Sequence, residues 1–401
     1  MLTCRLHLKD RIRGSRICSS GIQRTPIPRQ RFLLLILLLI FNAEAGAQEI
    51  KITAENDSLL QALEREMAAA QPRQNTPRFR PSTNPDISII TDVRSWYTSQ
   101  GPRNVDAEVH EVESSFRSAI DPFARADIYV SMAHEDGEFE FELEEAYLTT
   151  LSLPYRLQLR VGKFRNTVGK INRIHPHALP FVDVPAVYTN FFGNEGLNDQ
   201  GASLSWLLPN TSFYQELTVE VTRGPGESES FAFNEGNRFL YTGHLKNFWD
   251  LSEDKTLELG LSAIAGPNEL EQTSWIGGVD VTYRWKPLRF NTYQSLTLQA
   301  ETFFSHKEIR DYVVKSWGMY ALVNYQLAQR WFLLGRFDHS DIPDDAAWNE
   351  SAVSTTLGWY LTEYQKLEFG VKTSWGPTFD QTYQGLVRLV FVIGTHGAHE
   401  Y

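Results

Sequence analysis

The sequence predicts an all-β chain, a transmembrane antiparallel β-barrel of about 16 strands with a short N-terminal periplasmic helix. Three observations carry this. Segments of roughly ten residues that alternate apolar and polar recur from Asp86 onward. An export signal stands at the N-terminus. Tight turns alternate with longer loops. "SWGMYALVNYQLAQRWFLLGRFDH" (316–339) shows the alternation: Trp317, Met319, Ala321, Val323, Tyr325 and Leu327 share one face, and Ser316, Gly318, Asn324 and Gln326 the other. After Ala328-Gln329 it resumes, with Trp331, Leu333, Gly335 and Phe337 against Arg336 and Asp338.

The longest apolar run, "RFLLLILLLIF" (31–41), falls short of the about 20 residues of a membrane-spanning helix. Arg5, Lys9, Arg11, Arg13, Arg16, Arg24, Arg29 and Arg31 accompany it, and Ala45-Gly46-Ala47 follows. This reads as a signal peptide, residues 1–47, with the mature chain starting near Gln48 and a long basic stretch that suggests a translation start downstream of Met1. Cys4 and Cys18 leave with it, so the mature chain has no thiol to mispair in an oxidising periplasm. Removing eight Lys/Arg and two Asp/Glu takes the net charge from -11 to -17, which argues against a nucleic-acid partner.

Residues 55–70, "ENDSLLQALEREMAAA", place Leu60, Leu63 and Met67 at helical spacing behind Asp57-Ser58, giving the short periplasmic helix. Residues 71–85 form a Pro-rich linker, so 48–85 precede the barrel, 86–394 build it and 395–401 are a tail. The expected strands are 86–98, 107–118, 123–133, 138–152, 156–168, 199–208, 213–223, 238–249, 255–265, 273–286, 292–305, 314–327, 330–339, 350–361, 364–375 and 382–394. Connections after even-numbered strands read as tight, at Ile120-Asp121, Pro154-Tyr155, Pro209-Asn210, Ser252-Glu253, Pro287-Leu288, Ala328-Gln329 and Thr362-Glu363. Those after odd-numbered strands are often long, as at 224–237 and 340–349. Short turns at one rim and long loops at the other place the N-terminus of the barrel on the periplasmic side; a soluble sandwich has no reason to segregate loops this way.

In lipid every backbone donor and acceptor must be paired, so a spanning sheet closes on itself and its outward alternate residues are apolar. Leu257, Leu259, Leu261 and Ala263, then Trp275, Val279, Val281, Tyr283 and Trp285, then Leu367, Phe369 and Val371 are expected outward. Inward charges comprise Asp127, Glu220, Glu258, Asp280, Glu301 and Glu368 against Arg125, Arg284, Arg336, Lys372 and Arg388. This mixed lumen suits a general or mildly cation-preferring pore.

"FELEEAYLTTLSLPYRLQLRVGKFRNTVGKINRIHPHALPFVD" (141–183) resembles the family of phosphate-selective porins O and P, through Ala146-Tyr147-Leu148, the turn at Pro154, Leu159-Arg160-Val161-Gly162-Lys163-Phe164-Arg165 and Gly169. "HPHALPFVD" and "EGLNDQGASLSWLLP" are similar to outer-membrane proteins labelled zinc-regulated TonB-dependent receptors. The resemblance implies a 16-stranded, trimeric porin of the Gram-negative-type outer membrane, with the loop after strand five, 169–198, folded into the lumen as a constriction. Its partners would be outer-membrane lipid and lipopolysaccharide. The barrel-assembly machinery would read the last strand through Tyr383, Gly385, Val387, Leu389 and Phe391.

Near that loop Arg160, Lys163, Arg165, Lys170 and Arg173 form a candidate basic wall facing Glu140, Glu142 and Glu144, an electrostatic filter or simply lumen charges solvated by water. No cofactor is expected. His175, His177 and Asp183, with Glu195 and Asp199, are nonetheless candidate zinc ligands, since imidazole and carboxylate suit that ion. "EIKITAEN" (49–56) loosely resembles an energy-coupling box, but about forty residues before the first strand leave no room for the plug of a roughly 22-stranded receptor. His244, His306 and His339 lie on different strands with no nucleophile motif beside them, so an enzyme is not expected.

Overall fold

The computed structural model describes residues 85–100, 104–135, 138–209, 212–224, 228–233 and 238–394. The signal segment, the helix at 55–70, nearly all of the linker and the tail lie outside the described residues.

Sixteen strands close on themselves, each antiparallel to its neighbours in sequence, with β1 (Asp86–Thr98) pairing β16 (Thr382–Gly394). Between them run β2 (Val105–Asp121), β3 (Ala124–Glu135), β4 (Glu138–Thr150), β5 (Leu157–Arg165), β6 (Asn198–Leu207), β7 (Tyr214–Thr222) and β8 (Leu240–Ser252). β9 (Lys255–Pro267), β10 (Thr273–Trp285), β11 (Leu296–Ile309), β12 (Tyr312–Ala328), β13 (Trp331–Ile342), β14 (Asp345–Thr362) and β15 (Gln365–Trp375) complete the wall. Closure leaves no free sheet edge at the β1–β16 seam, which hydrocarbon would penalise.

Period two sorts the side chains. On β12, Ser316, Gly318, Tyr320, Leu322 and Gln326 are buried inward, while Trp317 and Val323 are exposed. The outward band of Ile128, Val161, Leu204, Val219, Leu261, Val279, Leu333, Val353, Phe369 and Val387 is apolar. Rings gather at both ends of the strands. Phe123, Tyr155, Tyr214, Phe290, Tyr360 and Tyr364 lie near the rim of the even-to-odd turns, and Tyr97, Tyr241, Trp275, Phe304, Tyr312, Trp317, Trp375 and Tyr383 near the other. Two aromatic girdles around an apolar band mark a barrel that spans the bacterial outer membrane.

Two connections differ from the sequence expectation. The link after β10 is no tight turn at Pro287-Leu288 but a coiled stretch, 286–295, held by Phe290 N donating to Pro287 O at 3.1 Å and Tyr293 N to Phe290 O at 2.8 Å. Proline lacks the donor needed to continue the ladder there. The expected long loop at 340–349 instead extends β13 and β14, in which Ser340 pairs Glu350 and Asp341 pairs Asn349. The two strands simply run longer, to 12 and 18 residues against 9 or 10 in β5 to β7.

Inside the barrel lies residues 166–197, the connection between β5 and β6. It carries a 3-10 turn at Pro176–Ala178 and one short helix, α1 (Ala186–Phe192). α1 packs against the inner faces of β12 and β13. The buried apolar core of the molecule is built there, from Val168, Ile171, Leu179, Phe181, Val187, Tyr188, Phe191, Phe192 and Leu197 of the connection and Ile264, Ile276, Phe303, Tyr320, Leu322 and Leu334 of the wall.

Candidate pore constriction

β5 is short because its continuation is pulled off the wall. Gly162 sits at φ 142, and a Cβ there would lie 2.1 Å from the Ala146 carbonyl oxygen, so this glycine of the Val161-Gly162-Lys163 stretch lets β5 press against β4. Pairing between these strands is confined to Ala146–Thr149 against Arg160–Lys163. The neck of the loop is then closed by Asn172, whose Nδ2 donates to Asn166 O at 2.8 Å and Leu197 O at 2.9 Å while its Oδ1 accepts from Leu197 N at 2.9 Å. Gly169, at φ 55, brings the chain against β11, where a Cβ would meet Glu301 Oε2 at 2.2 Å. Its N–H donates to Ser262 Oγ at 2.9 Å.

From the neck the segment crosses the lumen and is fastened to strands all round. Glu220 of β7 accepts from Asn166 Nδ2 and Thr167 N, each at 3.0 Å. Lys170 pairs with Glu258 of β9 at 2.7 Å, and Tyr188 donates to Glu301 of β11 at 2.5 Å. Asn190 reaches Glu350 of β14 at 3.1 Å. Asp183 is held by Arg336 of β13 at 2.9 Å and Lys372 of β15 at 2.7 Å. Burial alone would raise the Asp183 pKa, but these two cations outweigh it and keep the carboxyl below its ordinary 3.8. Lys366 donates to Leu179 O at 3.0 Å, and Arg388 of β16 donates to Phe181 O at 3.1 Å and Pro176 O at 2.8 Å while pairing with Asp92 at 2.9 Å. Carbonyls that a loop inside a barrel would leave unpaired are thereby satisfied.

The basic residues expected at the loop divide among these roles. Arg165 pairs with Glu144 at 3.1 Å and donates to Glu195 O at 2.7 Å. Lys163 pairs with half-exposed Glu142 at 2.9 Å and also donates to Leu143 O at 2.7 Å. Lys170 points to Glu258, on the opposite side from the acidic set. Buried Arg160 lies 5.2 Å from the Tyr147 and Phe164 ring centroids. Arg173 is half-buried, and Glu140 is exposed near the start of β4. The inward charges are mostly buried: Asp127, Asp280, Glu301, Glu368, Arg336 and Arg388 are each 2% exposed or less, and Asp127, Glu368, Arg336 and Arg388 are held in ion pairs.

His175 and His177 come together, their rings 5.7 Å apart, but not with Asp183, whose carboxylate is committed to Arg336 and Lys372. Glu195 lies beside Arg165, and Asp199 accepts from Gly224 N at 2.5 Å. The partners of the histidines come from the wall instead. His175 Nδ1 is 2.8 Å from Glu113 Oε2 of β2 and 3.1 Å from Glu144 Oε2, and its Nε2 is 2.7 Å from Glu145 Oε1. Burial works against a charged imidazole, and the surrounding carboxylates outweigh it, raising the His175 pKa well above 6.5. Glu144 and Glu145 both point inward because β4 bulges there: Tyr129 pairs Glu145 and Val130 pairs Leu143, leaving Glu144 extra. The adjacent glutamates in "ELEEAY" break the alternation and were the signal for that bulge. Sequence reasoning named Glu220, Glu258, Glu301, Arg336, Lys372 and Arg388 only as inward charges, and did not single out Glu113, Glu145, Glu350 or Lys366; all of them anchor the loop.

No family model matches the sequence. An uncharacterized protein of Aquifex aeolicus (strain VF5) is 29% identical over 404 residues, with 82% of each chain covered. Among solved structures, the outer membrane channel DcaP of Acinetobacter baumannii is similar at TM-score 0.55 and 11% identity, covering 79% of this chain and 99% of that one. The anion-selective porin from Comamonas acidovorans gives TM-score 0.55 at 8% identity, with 77% and 99% covered. The trimer form of OmpT, an outer membrane protein of Vibrio cholerae, gives 0.53 at 8%, with 77% and 100% covered. The likeness is one of fold.

Proposed function

We propose that the chain is a porin-type channel through which small hydrophilic solutes or ions diffuse passively, along a narrow aqueous path beside the loop at 166–197. The observation that carries this reading is the lumen-crossing segment itself, clamped by ion pairs to a closed membrane-spanning wall whose inner face stays charged toward the periplasmic mouth. Arg117 and Arg125, with side chains 33% and 35% exposed, and Lys246, 29% exposed, keep contact with water on that face. A cavity of about 430 Å³ opens near the periplasmic mouth, lined in part by Lys246, Glu258 and Arg284. Acidic and basic groups are interleaved, which supports weak ion selectivity over the anion specificity of phosphate-selective porins.

The closed sixteen-strand wall weighs against a TonB-dependent receptor, which needs about 22 strands. No covalent step belongs to this reading. His339 lies 2.9 Å from Ser351 Oγ and 3.6 Å from Asp341, but the group faces outward beside Trp317, and the Trp317 N–H is spent on Asp341 at 3.0 Å. The ladder consumes the backbone donors that an oxyanion would need.

The low part of the wall supports association of copies, which we take as a trimer. Residues 138–145 of β4 have no β5 partner, and Phe139, Phe141 and Leu143 are exposed beside them. Such an edge is costly in lipid and is covered when copies associate there. Purified protein in planar bilayers is expected to give small conductance steps in groups of three and to run as a trimer on unheated gels. A folded, inserted sample that never conducts would replace the channel reading with a closed binding or structural barrel, which the dry packing of α1 favours.

A further inference from the structure

Where the loop meets β2 and β4, the barrel buries more carboxyl groups than cations. Glu111, Glu113, Glu144 and Glu145 are all less than 9% exposed, and the guanidinium among them is Arg165, which pairs with Glu144 and whose backbone N–H donates to Glu145 Oε2 at 3.0 Å. His175 enters from the loop with its two ring nitrogens in different surroundings. Nε2 meets Glu145 Oε1 at 2.7 Å. Nδ1 faces Glu113 Oε2 and Glu144 Oε2 at 2.8 and 3.1 Å. His177 Nδ1 lies 3.4 Å from the same Glu113 oxygen.

Two features point past an ordinary ion pair. Glu113 is 1% exposed, yet neither of its carboxylate oxygens has a hydrogen-bond partner despite the short approach of His175. A buried carboxylate that the two imidazoles approach without a well-directed hydrogen bond is under-satisfied. The other feature is the Glu145–His175 contact. Once an ion displaces the Nδ1 proton, the carboxylate that accepts Nε2–H leaves the Nδ1 lone pair to the ion, as in carboxylate–histidine–metal arrangements. That lone pair and two carboxylate oxygens then converge on one point, all within 4.8 Å of one another. Donor atoms around a tetrahedral ion with bonds of about 2.0 Å are about 3.3 Å apart, and Nδ1 lies 2.8 and 3.1 Å from the two carboxylate oxygens.

We propose that Glu113, Glu144 and His175 bind one divalent transition-metal ion, of which zinc is the best fit, cross-linking the loop to β2 and β4. One imidazole nitrogen with two carboxylates is a donor set for zinc and not for calcium or magnesium, which prefer six or more oxygens. His177 borders the site as a further donor, and Glu145 is a positioning residue. The loop carrying His175 would then be locked to the wall by the ion as well as by Arg388 and Asp183.

The test is titration of zinc into chelator-stripped, folded protein in detergent, followed by calorimetry and thermal unfolding, with magnesium as the control ion. One zinc per chain, a higher melting temperature with zinc alone, and at least tenfold weaker binding in Glu113→Gln and His175→Gln are expected. Glu145→Gln should weaken binding 10- to 100-fold without changing stoichiometry. Absence of stoichiometric zinc binding, or unchanged affinity in Glu113→Gln, overturns the site. If these variants do not fold, X-ray absorption at the zinc edge of the unaltered protein decides: an imidazole and carboxylate shell supports the site and an all-water shell removes it.

Discussion

The two sides of the lumen are built on opposite principles. Toward β9 to β13 the inner wall presents Ile264, Ile276, Phe303, Tyr320, Leu322 and Leu334, and α1 lays Val187, Tyr188, Phe191 and Phe192 on them as in a soluble protein core. Toward β15, β16 and β1 to β4 the wall presents Lys372, Lys366, Arg388, Asp92, Glu113 and Glu144, and the loop meets them with carbonyls, Asp183 and His175. Dry packing dominates one half of the segment, with Tyr188–Glu301 and Lys170–Glu258 as directed contacts at its edge. Directed bonds fix the other half in place. A barrel interior is therefore not uniformly a wet polar surface; a strap inside it turns part of the wall into core.

The difference can be broken by substitution, and the dry side should cost most. Phe192 is fully buried and packs edge-on against Phe303, with ring centroids 5.3 Å apart. Phe192→Ala is expected to destabilise the barrel by about 3–5 kcal/mol in thermal unfolding, and to raise single-channel conductance as the strap loosens. Asp183→Asn on the charged side should cost about 1.5–3 kcal/mol, since two charge-assisted contacts are weakened and Arg336 stays buried. Acid should mimic it. The Asp183 pKa is lower in the folded barrel than its ordinary 3.8, so its contribution is complete above that value and is lost as pH falls further. Conductance and melting temperature of Asp183→Asn should accordingly change less between pH 6 and about pH 3 than those of the unaltered protein. The smallest effect belongs to Lys163→Ala. Its partner Glu142 is 49% exposed, and such pairs contribute about 1 kcal/mol or less. Equal losses from Phe192→Ala and Lys163→Ala would erase the distinction between the two sides.

Particular residues show why one level was legible and the other not. β1 and β16 were readable to the residue at both ends, because alternation, aromatic termini and turn chemistry are local. The inward placement of Glu220, Glu258, Glu301, Arg336 and Arg388 followed from the same period. Their company did not: Arg388 meets loop carbonyls 207 and 212 residues away in the chain, which no spacing rule contains. The grouping of Asp183 with His175 and His177 treated nearness in sequence as nearness in space. The stretch from the 3-10 turn through Phe181 leads Asp183 across to Arg336 of β13 and Lys372 of β15. One sign of the dry side was present in "YALV" (320–323), where apolar residues occupy both faces of β12. A strand that is apolar on both faces is buried on both, so something had to cover Tyr320 and Leu322 from within.

The sequence by itself determined that the chain crosses a membrane as strands, how many there are, and which side chains face lipid, since a two-residue period is a property of consecutive residues. Only the tertiary structure decided that the segment between β5 and β6 fills part of the lumen with a packed core, and that Glu113 and Glu144 converge on His175. Those contacts depend on the curvature of a closed sheet, which brings distant strands to face one another across an interior that no local pattern describes.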